Sequence, residues 1–265
     1  MVHAAAIIAA VAVVAALAAG CAPDGTGRIA QPPTSDPVAL TLSDQTPQVT
    51  VPAGRDAIVT CQGTLHPQDG HWVAVWGDRA RDVIVKGCHV TIDQAGQTIE
   101  GRRCLRVTGG TGTTWIGDLD CDGPHLSEGI NFSGPGELNV ETVHIATLTA
   151  NDLTGFSDNH PDALQTWGKE CGPVFVDNLE ATTAFQGLYF GSWPCVPDVS
   201  LRNVTLRSAP PGARQLLILG PFLPASQTPR RHVTLANVTL EQSGTRSNLF
   251  WPDESFWPGA NITQP

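Results

Sequence analysis

VSLRNVTL, residues 199–206, decides the fold. Val199 and Leu201 alternate with polar residues, Asn203 interrupts, and alternation resumes at Val204 and Leu206. A period of two marks a strand with one buried face, so the octet reads as two short strands joined at one polar residue. The pattern recurs in LNVETVHI (138–145), VFVDNLEA (174–181) and VTLANVTL (233–240). Its middle column holds Thr142, Asn178, Asn203 and Asn237, at spacings of 36, 25 and 34 residues. Looser copies are VIVKGCHV (83–90), centred on Gly87, and TWIGDLDC (114–121), centred on Asp118. Repeats of this length imply coils that each bury a face only by stacking on a neighbour.

A second set of strands falls between these: LRVTG (105–109), INFSG (130–134), LQTWG (164–168), LYFG (188–191) and LILG (217–220). The order strand, turn, strand, polar bend, strand gives three short strands per coil. With the asparagine column, the chain resembles the pectate-lyase-like right-handed parallel β-helices over roughly residues 50–250. The resemblance implies an all-β, single-stranded right-handed parallel β-helix. It also implies an asparagine ladder whose side chains point into the bend and satisfy buried polar groups there. This fold carries lyases, hydrolases and non-catalytic binders alike, so it does not fix a function.

The rest of the chain frames that domain. Ala4 to Ala19 is an unbroken apolar run. It falls short of the ~20 residues that span a bilayer and reads as the core of a signal peptide over residues 1–20. Leu17-Ala18-Ala19-Gly20-Cys21 resembles a bacterial lipoprotein lipobox, which implies an acylated Cys21 and an exported protein touching the membrane through its lipid alone. Residues 21–46 are rich in Pro, Gly, Ser and Thr and read as a tether. The β-helix is expected over 47–250, with 251–265 as an aromatic cap carrying Trp251 and Trp257. A net charge of −10 argues against nucleic acid as a partner. With 27 glycines and 21 prolines there is little room for long helices. A monomer is expected.

Of seven cysteines, setting Cys21 aside leaves six, an even set suited to an oxidising compartment. Six allow 15 connectivities. In the coil register Cys171 and Cys195 occupy equivalent turns one coil apart, close enough to bridge. Cys61–Cys88 and Cys104–Cys121 are then the remainder.

In the family, the resemblance implies, substrate lies along the outward face of the strand after the long loop. If Leu105, Ile130, Leu164, Leu188 and Leu217 point inward, the outward column is Arg106, Asn131, Gln165, Tyr189 and Ile218. The loop before it, Asp158-Asn159-His160-Pro161-Asp162, sets an imidazole between two carboxylates. HPDALQ (160–165) resembles an H-x-D-x-x-Q signature of secreted β-helix proteins acting on polysaccharides; a turn built from Asp, Asn and Pro is the plainer reading. Trp167 and Trp193, at strand ends, are either stacking platforms for sugar rings or core.

The expectation is an exported protein that cleaves a polysaccharide or other glycan. For a lyase, His160 or Tyr189 would abstract a proton while Arg106, Asn131 and Gln165 neutralise the substrate carboxylate. For a hydrolase, Asp158 or Asp162 and a second carboxylate such as Glu128 would be acid and base. The alternative is a non-catalytic envelope lipoprotein that binds glycan or protein. No cofactor or metal is expected, although Asp120, Asp122 and Glu128 could hold Ca²⁺ if their loop brought them together.

Overall fold

In a computed structural model the described residues are 29–68, 72–94, 100–149, 161–191, 195–210, 215–220, 231–243 and 249–263. Among them there is no α-helix, only two single-turn 3₁₀ segments. The strands form two parallel sheets whose members alternate along the chain. The first sheet runs from Val38–Leu42 and Ala57–Cys61 through Val83–Thr91, Thr113–Asp122, Glu137–Leu148, Val174–Thr183, Val199–Ser208 and Val233–Glu241 to Asn261–Thr263. The second runs from Gln48–Thr50 and Ala74–Trp76 through Arg103–Thr108, Glu128–Gly134, Asp162–Cys171, Gln186–Phe190 and Gln215–Leu219 to Phe250–Trp251. Successive coils thus stack in register as a parallel β-helix. Its core is the inward side chains of both sheets, among them Leu105, Ile130, Leu164, Leu188, Val199 and Leu206.

Where three strands per coil were expected, the repeat octets run as single long strands, bent at the polar centre. The bend residue has left-handed backbone: Asp118 at φ 49°, Thr142 and Asn178 at 54°, Asn203 at 52°, Asn237 at 55°, and Gly87 at 65°. It drops out of the ladder, so that Glu141 pairs with Asp177 and Val143 with Leu179, while Thr142 and Asn178 are skipped.

The ladder does not point inward. Asn178, Asn203 and Asn237 are exposed, and they link to one another along the outside. Asn237 Nδ2 donates to Asn203 Oδ1 at 2.9 Å, and Asn178 Nδ2 to Thr142 Oγ1 at 3.4 Å. Asn203 Nδ2 turns aside to Asp177 Oδ1 at 2.9 Å. The column is rich in Asn, Asp and Gly because these residues tolerate left-handed backbone, which other L-residues resist. Its chemistry records a backbone bend rather than burial.

The first rung starts earlier than the composition suggests. Val38–Leu42 pairs with Ala57–Cys61 inside the stretch read as tether, and Asp56 Oδ2 accepts from the Ser35 amide. Five residues of alternating VALTL are masked by their Pro- and Ser-rich surroundings. At the other end the aromatic tail joins the last coil. Phe250 and Trp251 pair with Leu217 and Ile218, while Phe256 and Trp257 are buried, the Trp257 ring 6.3 Å from Phe190.

Three disulfides clip the coils: Cys61–Cys88, Cys104–Cys121 and Cys171–Cys195, with Cα–Cα distances of 5.0, 5.7 and 6.0 Å. They match the expected pairs and place the folded chain in an oxidising, extracytoplasmic environment. No helix among the described residues is long and apolar enough to cross a membrane.

Thr142 is the β-branched member of a left-handed column, a conformation that costs such a residue on the order of 1–2 kcal/mol. Thr142→Asn is therefore expected to stabilise the domain by about 1 kcal/mol in a denaturant titration. Asn203→Ala is expected to cost about 1–2 kcal/mol and Asn203→Gly much less. Equal losses for Ala and Gly would show that the side-chain bond, not the bend, is what matters there.

Candidate functional site

The second sheet presents the site. Its ladder pairs Arg106 with Asn131, Asn131 with Gln165, Gln165 with Tyr189 and Tyr189 with Ile218, so the outward row expected from the sequence is assembled in order. Gln165 and Tyr189 are stacked neighbours, as their coil spacing of 24 residues requires. Ile218, in contrast, is fully buried and ends the row.

A second column stands beside the first. Arg103 pairs with Glu128, Asp162 with Gln186 and Gln186 with Gln215. Glu128 and Asp162 each lie two residues ahead of the paired Ile130 and Leu164, on adjacent rungs. The residue between is skipped in the ladder at each rung. At one such bend, a Cβ on Gly129 would meet the core side chain of Ile145. Because the bend residue turns inward, its predecessor joins the outward row. Glu128 Oε1 accordingly accepts from Asn131 Nδ2 at 2.6 Å, three residues on.

The bonds through this cluster are unevenly shared. Arg103 Nε and Nη2 donate to Glu128 Oε2 at 2.6 and 2.5 Å, with both side chains buried. Asn131 Nδ2 also donates to Gln165 Oε1 at 3.0 Å, and its Oδ1 accepts from Trp167 Nε1 at 2.6 Å. Glu128 and Asn131 are thus held on both sides. Asp162 is 0% exposed, and neither of its oxygens has a hydrogen-bond partner among the described residues. Burial, and then the charge of Glu128, push its carboxyl well above the ordinary range; Arg103 offsets only part of this. A buried acid without a partner costs roughly 1–3 kcal/mol, and such a group marks a candidate functional residue.

Tyr189 is half-buried, and its phenol is raised by burial and by the charge of Asp162. A raised phenol holds its proton, so Tyr189 suits a proton donor better than the base considered from sequence. Arg106 lies between two indoles, 5.1 Å from the Trp76 ring and 5.3 Å from the Trp167 ring. Trp167 is the one large apolar side chain exposed among the described residues, at 39%.

Asp158, His160, Trp193 and Cys21 lie outside the described residues. Arg103 and Trp76 are absent from the sequence-derived set. Arg103 carried a signal: it precedes Leu105 by two, as Glu128 precedes Ile130 and Asp162 precedes Leu164. Trp76 had only a three-residue strand, Ala74–Trp76, to announce it. The calcium set considered from sequence is divided between two places: Glu128 bonds Arg103 and Asn131, while Asp120 and Asp122 face histidines.

The chain matches no protein-family model, no curated protein and no solved structure.

The Asp162 carboxyl gives the site a pH signature. The unfolded chain ionises it near ~4, whereas the folded chain does so well above that. Between the two values only the native state keeps the proton, so stability falls as pH rises through that window and the loss is absent below it. Asp162→Asn keeps the shape without titrating. Its thermal midpoint is expected to exceed that of the parent chain at neutral pH, with the gap closing toward pH ~4. A gap that does not change with pH would show that Asp162 is not held protonated.

Proposed function

We propose that the chain is an exported, pectate-lyase-like right-handed parallel β-helix protein that cleaves a polysaccharide at the outward face of its second sheet. The observation that carries this reading is the buried pair Asp162 and Glu128, two carboxyl groups one rung apart in opposite electrostatic environments. Pairs whose surroundings push their proton affinities apart are how acid and base roles are divided. Asp162, held protonated, donates to the departing glycosidic oxygen. Glu128, paired with Arg103 and fixed by Asn131, captures the anomeric carbon as that bond breaks, and water, giving a proton back to Asp162, then releases the sugar from Glu128. The backbone rung spacing of ~4.8 Å is on the scale of the ~5–5.5 Å carboxyl separation of retaining hydrolases, so hydrolysis by this pair is expected to retain configuration. Gln165, Tyr189 and the exposed indole of Trp167 offer hydrogen bonds and a stacking face to sugar rings.

A second reading has its own observation. Asp162 and Glu128 are closed off from solvent, whereas Gln165 and Tyr189 are partly exposed and Trp167 is exposed. If the carboxyls never meet substrate, the open row alone binds glycan and the protein is a non-catalytic envelope module. Cleavage needs a local opening above the pair.

Anchoring at Cys21 belongs to the same proposal. The other six cysteines pair among themselves, which leaves Cys21 as the odd thiol, in a lipobox-like setting.

Two measurements check these statements. On a panel of neutral and acidic polysaccharides, the parent chain is expected to release reducing ends without unsaturated products. Asp162→Asn is expected to lower turnover by about 10²–10⁴-fold with glycan binding retained. Binding without product in both proteins would establish the module reading, and unsaturated products would establish a lyase. Cys21→Ser is expected to move the protein from the membrane fraction to the medium; retention in the membrane would remove the anchor.

A further inference from the structure

Away from that row, the outward face of the first sheet carries a second constellation. Its ladder pairs His89 with Asp120 and Asp120 with His144, an alternating column on three successive rungs. Asp122 stands one outward position further along, opposite Thr91. The side chains converge: His89 Nε2 lies 3.0 Å from Asp122 Oδ2 and 3.7 Å from Asp120 Oδ2, and His144 Nδ1 lies 2.8 Å from Asp120 Oδ1. One donor atom each from His89, Asp120 and Asp122 falls within 4.8 Å of the others.

Three observations single this cluster out from ordinary surface ion pairs. Neither Asp120 nor Asp122 has an Arg or Lys partner among the described residues; their ion pairs are with imidazoles alone. Over the next three coils of the same sheet, by contrast, Glu180 and Glu241 are both neutralised by Arg207. Asp122 Oδ1 is shut off from solvent and has no hydrogen-bond partner among the described residues. The His89 ring is also oriented from behind: Thr64 Oγ1 lies 3.3 Å from its Nδ1, and its Nε2 faces the carboxylates, with Thr91 Oγ1 3.4 Å away. An outer partner that fixes the ring this way is a regular companion of metal-ligating histidines.

We propose that His89, Asp120 and Asp122, with His144 supporting Asp120 from its other oxygen, form a binding site for a divalent transition metal of the zinc class. An imidazole nitrogen beside two carboxylates, with a position left for water, suits Zn²⁺, Co²⁺ or Ni²⁺, whereas Ca²⁺ and Mg²⁺ take all-oxygen sets. The metal takes the place of the ring–carboxylate contacts and ties neighbouring rungs together. The site does not depend on the carbohydrate reading, since it uses none of the residues on the other sheet.

The test is calorimetric titration of the chelator-treated full chain with ZnCl₂, beside its thermal midpoint with and without the metal. One Zn²⁺ per chain and a raised midpoint are expected, with Ca²⁺ giving neither. His89→Ala and Asp120→Asn abolish saturable binding, Thr64→Val weakens it by about 10–100-fold, and His232→Ala leaves it unchanged. On the unmutated protein, Zn²⁺ shifts the ring resonances of two of the eight histidines, which stands as a test even if a variant fails to fold. No saturable Zn²⁺ binding, binding indifferent to His89→Ala and Asp120→Asn, or tighter binding of Ca²⁺ than of Zn²⁺ would overturn the proposal.

Discussion

Register between coils is the constraint on which everything else in this protein rests. Parallel rungs stack ~4.8 Å apart, and a side chain has as its nearest outward neighbours residues one coil away in sequence. Each coil keeps that register by bending the long strand at a single left-handed residue, skipped identically on the adjacent rung. A bend displaced by one position would send the second half of that strand's inward set, Val204 and Leu206 in one coil, to the outside. The coil length is free to vary between bends, at 36, 25 and 34 residues, because loops absorb the difference. What cannot vary is the position of the bend within the octet. Function on such a scaffold is therefore written in columns, not in local motifs.

The carboxyl pair shows what a column can do that a loop cannot. Glu128 and Asp162 are separated by an entire coil of chain yet sit on neighbouring rungs of one sheet. Arg103 is on the rung below Glu128, so its guanidinium reaches Glu128 directly and touches Asp162 only through space. The order cation, carboxylate, carboxyl along one column makes two chemically similar groups unequal. Reversing Glu128 and Asp162 in that order would reverse which of them keeps the proton. Burial amplifies the inequality, because Coulomb interactions in a low-dielectric wall are screened far less than at the surface.

Much of this was legible because period-two patterns survive in a single sequence. The coil length read from Leu164 and Leu188 gave the Gln165–Tyr189 stack and the equivalent turns of Cys171 and Cys195. The direction of the asparagine column was not legible. Asn is equally at home as a buried hydrogen-bonding residue and as a left-handed bend residue, and only backbone dihedrals separate the two. Val38–Leu42 was lost in its Pro- and Ser-rich surroundings, and Arg103 because its neighbour Cys104 turns inward and breaks strict alternation. Asp162 was legible as a candidate carboxylate close to the outward Gln165. That it is buried with no hydrogen-bond partner among the described residues was not, since burial outside the core depends on what covers a strand rather than on the strand's own pattern.

The two polar clusters share one stretch of chain. The first sheet is left at Asp122 and the second entered at Glu128, through five residues tied at several points. The His125 amide donates to the Ile92 carbonyl at 3.1 Å, the Leu126 amide to Gly123 at 3.3 Å, and the Ser127 amide to Arg102 at 3.0 Å. At Gly123 the chain runs at φ 109°, where a Cβ would meet the Ile92 backbone, so only glycine allows this close approach. Leu126 fills the core below the turn with no exposed surface. A turn bonded to the preceding coil and anchored in the core leaves Glu128 little freedom of position before its own side chain is considered. Arg103 and Asn131 then fix the carboxylate itself. Such preorganisation lets a charged group act on a developing charge without first rearranging its surroundings. The scaffold supplies it here through stacking, by making the turn of one coil the support for the polar column of the next.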